Sequence, residues 1–367
     1  MSSGPKSSLS IEYSDKAQGL SSSGRKLLIA ELLATLENSF PAGLNLAIVD
    51  SSGVLLRAWA GNACVVGETF PTTRTTRYDL ASLTKVISTT MLTLWLEEQS
   101  KWRLTDKVSS WLPGFTRSDI TLHHLLTHTS GLIAHKPFFE MGQRPQAIRR
   151  AVYEEASRGG ELGTVLYSDL NFMLLGWALA RCSGQPLQRL FKEVIAKPLD
   201  MPYTSFRPSA RDRVLTAATE LDGDQRLEPG LVWGEVHDGN AWALGGVAGH
   251  AGLFAPADDV SRYLVALLNP KEHPVLSAST IAKMTRYQAG TQPDVRGLGW
   301  RLDPEDWGPW PSGTYWHNGF TGNSLLVSPR VGIGVVMLSN AIHPTRQLER
   351  QAQFRIELFN AIAKCCL

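Results

Sequence analysis

The strongest constraint on the fold is that strand patterns occupy both ends of the chain while a long helical stretch separates them. Near the start, Leu44-Asn-Leu-Ala-Ile-Val49, a turn at Asp50-Ser-Ser-Gly53 and an apolar run over 54–60 read as a hairpin resembling the edge of an antiparallel sheet. Strand patterns return at 297–302, 314–318, 324–327 and 332–338, with turns containing Pro329 and Gly332. Over 105–229 the signals are mainly helical, punctuated at Pro113-Gly114, Gly131, Gly159-Gly160 and Gly184 to Pro186. Leu27, Leu28, Ala30, Leu32, Leu33 and Leu36 form an apolar stripe that predicts a helix over 25–38, and a closing helix is expected over 347–363. The expected fold is one α/β domain of the α+β kind, an antiparallel sheet flanked by N- and C-terminal helices. Its sheet part covers about 24–100 and 240–367, and an all-helical part is inserted at 101–239. Residues 1–23, with nine serines and little apolar content, are expected to form a flexible tail.

Composition excludes several classes of function. A chain of 367 residues, 43% hydrophobic and 19% charged with a formal net charge of +2, is an ordinary globular sequence with no cationic excess to bind nucleic acid or an acidic membrane. The N-terminus has no apolar core of signal-peptide length, and no run approaches the ~20 uncharged residues of a membrane span. A cytoplasmic location is therefore expected. Cys64, Cys182, Cys365 and Cys366 show no metal-ligand spacing, and the last two are expected in a solvent-exposed tail. No cofactor is implied.

The chemistry centres on Asp79-Leu-Ala-Ser-Leu-Thr-Lys85. Serine is a poor nucleophile unless a partner takes its proton, and on a helix Lys85 lies beside Ser82 at i+3. Unpaired N–H groups at a helix start suit negative charge developing near Ser82. The same spacing also occurs at Ser3 to Lys6 and Ser23 to Lys26, so the pattern alone is common. What distinguishes Ser82 is the following run, 86–96, apolar nearly all round and thus expected inside the protein. A Lys at the start of such a helix is costly without a partner or a task.

Two further stretches carry reactive groups. Tyr167-Ser-Asp169 precedes an apolar helix over 170–180, where Asp169 could equally be a plain helix cap. His317-Asn-Gly-Phe-Thr-Gly322 ends a predicted strand with glycines that admit close backbone approach, although a simple hairpin turn would look the same. His123, His124 and His128 have helical spacing but no acidic residue close by, so a metal site is not expected. His237 and His250 flank a glycine-rich segment. Trp300, Trp307, Trp310 and Trp316 suggest core residues or an apolar wall for a substrate. There is no Gly-x-Ser-x-Gly elbow.

Ser82-Leu-Thr-Lys85, Tyr167-Ser-Asp169 and His317-Asn-Gly319, in that order, resemble the three motifs of the serine β-lactamase and penicillin-binding-protein superfamily. The chain is most similar to its class C β-lactamase, D-alanyl-D-alanine carboxypeptidase and esterase branch. Leu125-Leu-Thr-His-Thr-Ser-Gly-Leu132 looks like a signature of the helical part, and Leu244-Gly-Gly-Val-Ala-Gly-His-Ala-Gly-Leu253 is similar to a segment of penicillin-binding-protein-4B-like hydrolases. The resemblance implies that Ser82 is acylated, Lys85 acts as base and Tyr167 shuttles a proton to the leaving group. It also implies an oxyanion hole from the N–H groups of Ser82 and Phe320, with Asp169, His250, Trp316, His317, Asn318 and Gly319 around the substrate.

Two departures from the motifs matter. His317 stands where Lys is usual, exchanging a permanent cation for a group expected to be partly charged near pH 7. Asp169 stands where Asn is commonest and could pair with Lys85, raising a pKa of about 10.4 that a base needs lowered. Both reduce the case for β-lactam hydrolysis and suit neutral esters or amides. The expected function is a serine acyl-enzyme hydrolase taking a small-molecule ester or amide. Transfer to an amine or alcohol, and a silent acylatable sensor, are the alternatives.

Overall fold

The structure, a computed structural model, describes residues 9–14, 20–37, 40–223 and 229–367. Among the described residues, eleven strands fall in chain order as β1 (Ser10–Tyr13), β2 (Gly43–Asp50), β3 (Gly53–Cys64), β4 (Phe70–Pro71), β5 (Tyr78–Asp79) and β6 (Ser205–Phe206), then β7 (Leu253–Ala255), β8 (Arg301–Leu302), β9 (Tyr315–Asn318), β10 (Ser324–Ser328) and β11 (Ile333–Ser339). The main sheet runs β1-β3-β2-β11-β10-β9-β8, with β4 paired to β3; β5, β7 and β6 form a second, three-stranded sheet. All these pairings are antiparallel. The chain ends thus meet as β2 against β11, with Leu46 opposite Met337.

Side-chain alternation explains why both faces are covered. Leu44, Leu46 and Ile48 of β2 join one apolar cluster while Ala47 and Val49 join another, and β11 divides Val335 and Met337 from Val336 and Leu338 in the same way. The first set packs against the terminal helices Ser22–Glu37 and Leu348–Cys366, which also pack on each other. The second set faces the helical part and the buried helix that carries Lys85.

Three expectations are corrected. The hairpin β2–β3 is not an edge: Ser10–Tyr13, placed in the predicted tail, adds outside β3 with Ile11 opposite Ala58. The rest of that tail is described only at 9, 14 and 20–23, and residues 1–8 and 15–19 lie outside the described residues. The inserted part is not all-helical, since β6 lies within it and pairs with β7. Cys365 is not in an exposed tail, because the last helix reaches Cys366 and turns Cys365 into the apolar cluster, 1% exposed.

Candidate active site

Ser82 sits on a short turn between β5 and the buried helix. Leu80 N–H donates to Leu253 O across the small sheet, and Asp79 Oδ1 accepts from Ala81 N–H, forcing Ala81 to φ 46°. Asp79 is the knot of this region. Its other carboxylate oxygen accepts from His237 N–H at 2.6 Å, and its carbonyl accepts from Thr321 Oγ1 and Asn323 Nδ2, both at 2.7 Å. The turn bearing the nucleophile is thereby tied to the 319–323 loop. Gly319 is needed there because a Cβ would stand 2.6 Å from Leu80 O. The approaching backbone is therefore the protein's own.

The helix opens with a π-helical turn, Lys85–Thr90, buried throughout, and continues as α-helix over Met91–Glu98. Lys85 Nζ donates to Ser82 Oγ at 2.7 Å and to His250 O at 3.2 Å, and lies 2.7 Å from Asp169 Oδ1. The Lys85 amine also sits 5.0 Å from the Tyr167 ring centre. Burial pushes the Lys85 pKa down, but Asp169 and then Tyr167 outweigh it and hold the amine above the ordinary lysine value. Burial also opposes the Asp169 charge, yet the Lys85 ammonium and a bond from His135 hold that carboxyl well below its usual range. The expected ion pair exists.

Tyr167 and Asp169 are placed by the loop before helix Asp169–Ser183, and here the Thr-His-Thr-Ser-Gly stretch finds its use. His128 Nδ1 accepts from Ser168 N–H at 3.0 Å and its ring lies on Tyr167 at 4.6 Å. Burial, with Arg296 and Lys85 nearby, keeps His128 neutral. No group of three or more His, Cys, Asp or Glu side chains able to hold a metal occurs among the described residues.

On the facing strand β9, His317 is 3% exposed, and burial plus the Lys85 and Arg296 cations push its pKa well below the normal value. It is neutral at pH 7, not partly charged as expected. Its Nδ1 donates to Asn318 O at 2.8 Å, leaving the unpartnered Nε2 as an acceptor in the cleft. The N–H groups of Ser82 and Phe320 have no acceptor among the described residues.

Ser82 opens into a cleft of about 680 Å³. Tyr167, Asp169, Trp316, His317, Asn318, Gly319 and Phe320 line it, as expected. His250 does not: it is 1% exposed and turned onto Asp238, which does line the cleft and which His250 holds down to about 2 against burial. Of the tryptophans, Trp300, Trp307 and Trp310 are core and Trp316 alone reaches the cleft. The larger omission is cationic: Arg296, Arg301, Arg346 and Arg355 all line this cleft. Arg296 is 2% exposed, gives Nη2 to Asp294 at 2.7 Å and leaves Nε and Nη1 without partners. Arg301 shares Asp294 and lies 4.3 Å over the Trp316 ring. No local motif marks these arginines.

A family model described as Beta-lactamase matches residues 33–358. The chain belongs to the Beta-lactamase family. It is thus an enzyme of the serine β-lactamase-like superfamily, and its antiparallel sheet with helices on both faces is the fold of that family. A relative from Escherichia coli (strain K12), which bears the provisional name D-alanyl-D-alanine carboxypeptidase, is 28% identical over 349 residues, covering 83% of this chain and 79% of the relative. Among solved structures, the octameric penicillin-binding protein homologue from Pyrococcus abyssi superposes with TM-score 0.75 at 20% identity, covering 94% of this chain and 78% of that one. EstCE1, a hydrolase with promiscuous acyltransferase activity, gives TM-score 0.73 at 22% identity and covers 95% and 100%. At these identities both structures speak to fold alone. Among the described residues no helix is long and apolar enough to cross a membrane.

Proposed function

We propose that this chain takes up an acyl group on Ser82 from an ester or amide and passes it to water, and that the donor carries a carboxylate. The observation that carries the first half is the contact among Ser82, Lys85 and Asp169, a nucleophile within 2.7 Å of an amine that a carboxylate in turn orients. Ser82 Oγ bonds to the acyl carbon while its proton passes to Lys85, whose resting ammonium must first have lost one proton to solvent. The bond to the leaving group then breaks and that group departs protonated through Tyr167. The N–H groups of Ser82 and Phe320 hold the oxyanion, each worth roughly 3 to 4 kcal/mol in such sites. Water attack reverses the sequence and frees Ser82.

The second half reverses an expectation. A neutral donor was expected because His317 replaces a cation, but Arg296 and Arg301 restore positive charge beside it. A buried guanidinium edge to which the protein supplies no hydrogen-bond acceptor among the described residues favours an anionic ligand. The carboxypeptidase name of the relatives fits a donor of this class. Transfer to an amine or alcohol is the second reading, favoured by the shared fold with EstCE1 and its acyltransferase activity.

The test is product release from matched activated esters with and without a free carboxylate, each with and without added amine. Preference for the carboxylate ester with hydrolysis alone supports the first reading. Turnover that requires amine selects transfer, and equal use of both esters removes the carboxylate.

A further inference from the structure

Arg355 differs from the other cleft arginines. Asp294 pairs with Arg296 and Arg301, and Glu220 pairs with Arg346, whereas Arg355 pairs with no carboxylate among the described residues. It sits on the C-terminal helix one turn beyond Gln351. Its Nη2 donates to Gly319 O at 2.8 Å and makes a longer contact, 3.4 Å, to Asn323 O. Gln351 Nε2 donates to Phe320 O at 3.0 Å.

The chemistry follows from one peptide plane. The carbonyl of Gly319 and the N–H of Phe320 are two ends of the same amide. A cation on the oxygen draws electron density through that amide and makes its N–H a stronger donor. Burial lowers the Arg355 pKa only to about 10, so the guanidinium keeps its charge at neutral pH. Phe320 N–H meanwhile has no acceptor among the described residues. Asn323 O accepts from Gly319 N–H at 2.8 Å, so the same arginine also braces the turn that aims this N–H.

We infer that Arg355 is a positioning residue for acyl transfer: from the C-terminal helix, its charge polarises the Gly319–Phe320 peptide and strengthens the Phe320 N–H as oxyanion donor. The inference rests on the acyl-enzyme reading of Ser82. It assigns a part in the chemistry to a helix that otherwise covers the sheet.

The test is single-turnover acylation of the full chain by an activated ester and by its thionoester, in wild type and in Arg355→Met, Arg355→Gln and Arg355→Lys. Sulfur accepts hydrogen bonds poorly, so the thionoester draws little on the donor. With the oxygen ester, Arg355→Met should slow acylation roughly 10-fold, less than the 10²- to 10³-fold for losing an oxyanion donor outright. The thionoester should slow less than 3-fold, roughly, and Arg355→Lys should retain more activity than Arg355→Gln. The carbonyl stretch of the acyl-enzyme should move to higher frequency in Arg355→Gln, a readout that holds if Arg355→Met fails to fold. Equal slowing of both esters, an unshifted carbonyl, or wild-type rates overturn the inference. Absence of any Ser82 adduct in wild type is a distinct result that removes the acyl-enzyme reading and this inference with it.

Discussion

The two halves of the cleft are built in different ways. On one side Ser82, Lys85, Tyr167 and Asp169 come from two helix starts, and each charge there is paired at once: Lys85 with Asp169, with Ser82 beside it. On the other side Arg296 and Arg301, five residues apart, share Asp294 while Arg346 arrives from the segment before the C-terminal helix, and Arg296 keeps Nε and Nη1 without hydrogen-bond partners among the described residues. The difference teaches that reactivity and recognition are held by different physics. The reactive half is self-satisfied and preorganised, whereas the recognition half keeps positive charge that a ligand can complete.

Removing the reactive half should have the largest effect. Lys85→Ala takes away the proton acceptor beside Ser82 and should slow acylation roughly 10³-fold, measured by single-turnover kinetics. A loss of only a few fold would break the assignment of Lys85. Asp169→Asn should sharpen it. Asp169 holds the Lys85 pKa up, so the ammonium is the resting form and the rate rises with pH as that proton is lost. Without the carboxylate, burial dominates and lowers that pKa, so the acidic limb of the kcat/KM profile should move down by about one unit or more. An unmoved limb would show that another group is titrating.

The recognition half should respond differently. Arg296→Met should raise KM for a carboxylate ester roughly 10- to 100-fold, the worth of a charge-assisted hydrogen bond, with kcat changed little and a neutral ester untouched. Equal effects on both esters would erase the contrast between the halves. The smallest effect is expected at His317, already neutral in the structure. His317→Gln should change kcat/KM by less than about 3-fold and introduce no difference in the pH profile between pH 5.5 and 7.5. An inflection near 6.5 that vanishes in the variant would show that His317 titrates after all.

Legibility in the sequence followed the same divide. The β2–β3 hairpin, β9 to β11 and the terminal helices were readable because period-2 and helical patterns are local, as were the three motifs. β1 was missed because a four-residue strand among serines carries almost no pattern, although pairing with β3 is enough to order it. The charge of His317 was misjudged because it depends on Lys85 and Arg296, distant in sequence. His250 was expected in the cleft on the strength of its segment, yet its side chain turns to Asp238 and its carbonyl serves Lys85. Arg296, Arg301, Arg346 and Arg355 have no shared spacing, so only the fold assembles them.

The central claim is that Ser82 takes up the acyl group. Wild type and Ser82→Ala, quenched in acid seconds after mixing with an activated carboxylate ester, would be digested and their peptides weighed. The account predicts one added acyl group on the peptide containing Ser82 in wild type and none in the variant. An adduct on another residue, or turnover that survives in Ser82→Ala, would contradict it.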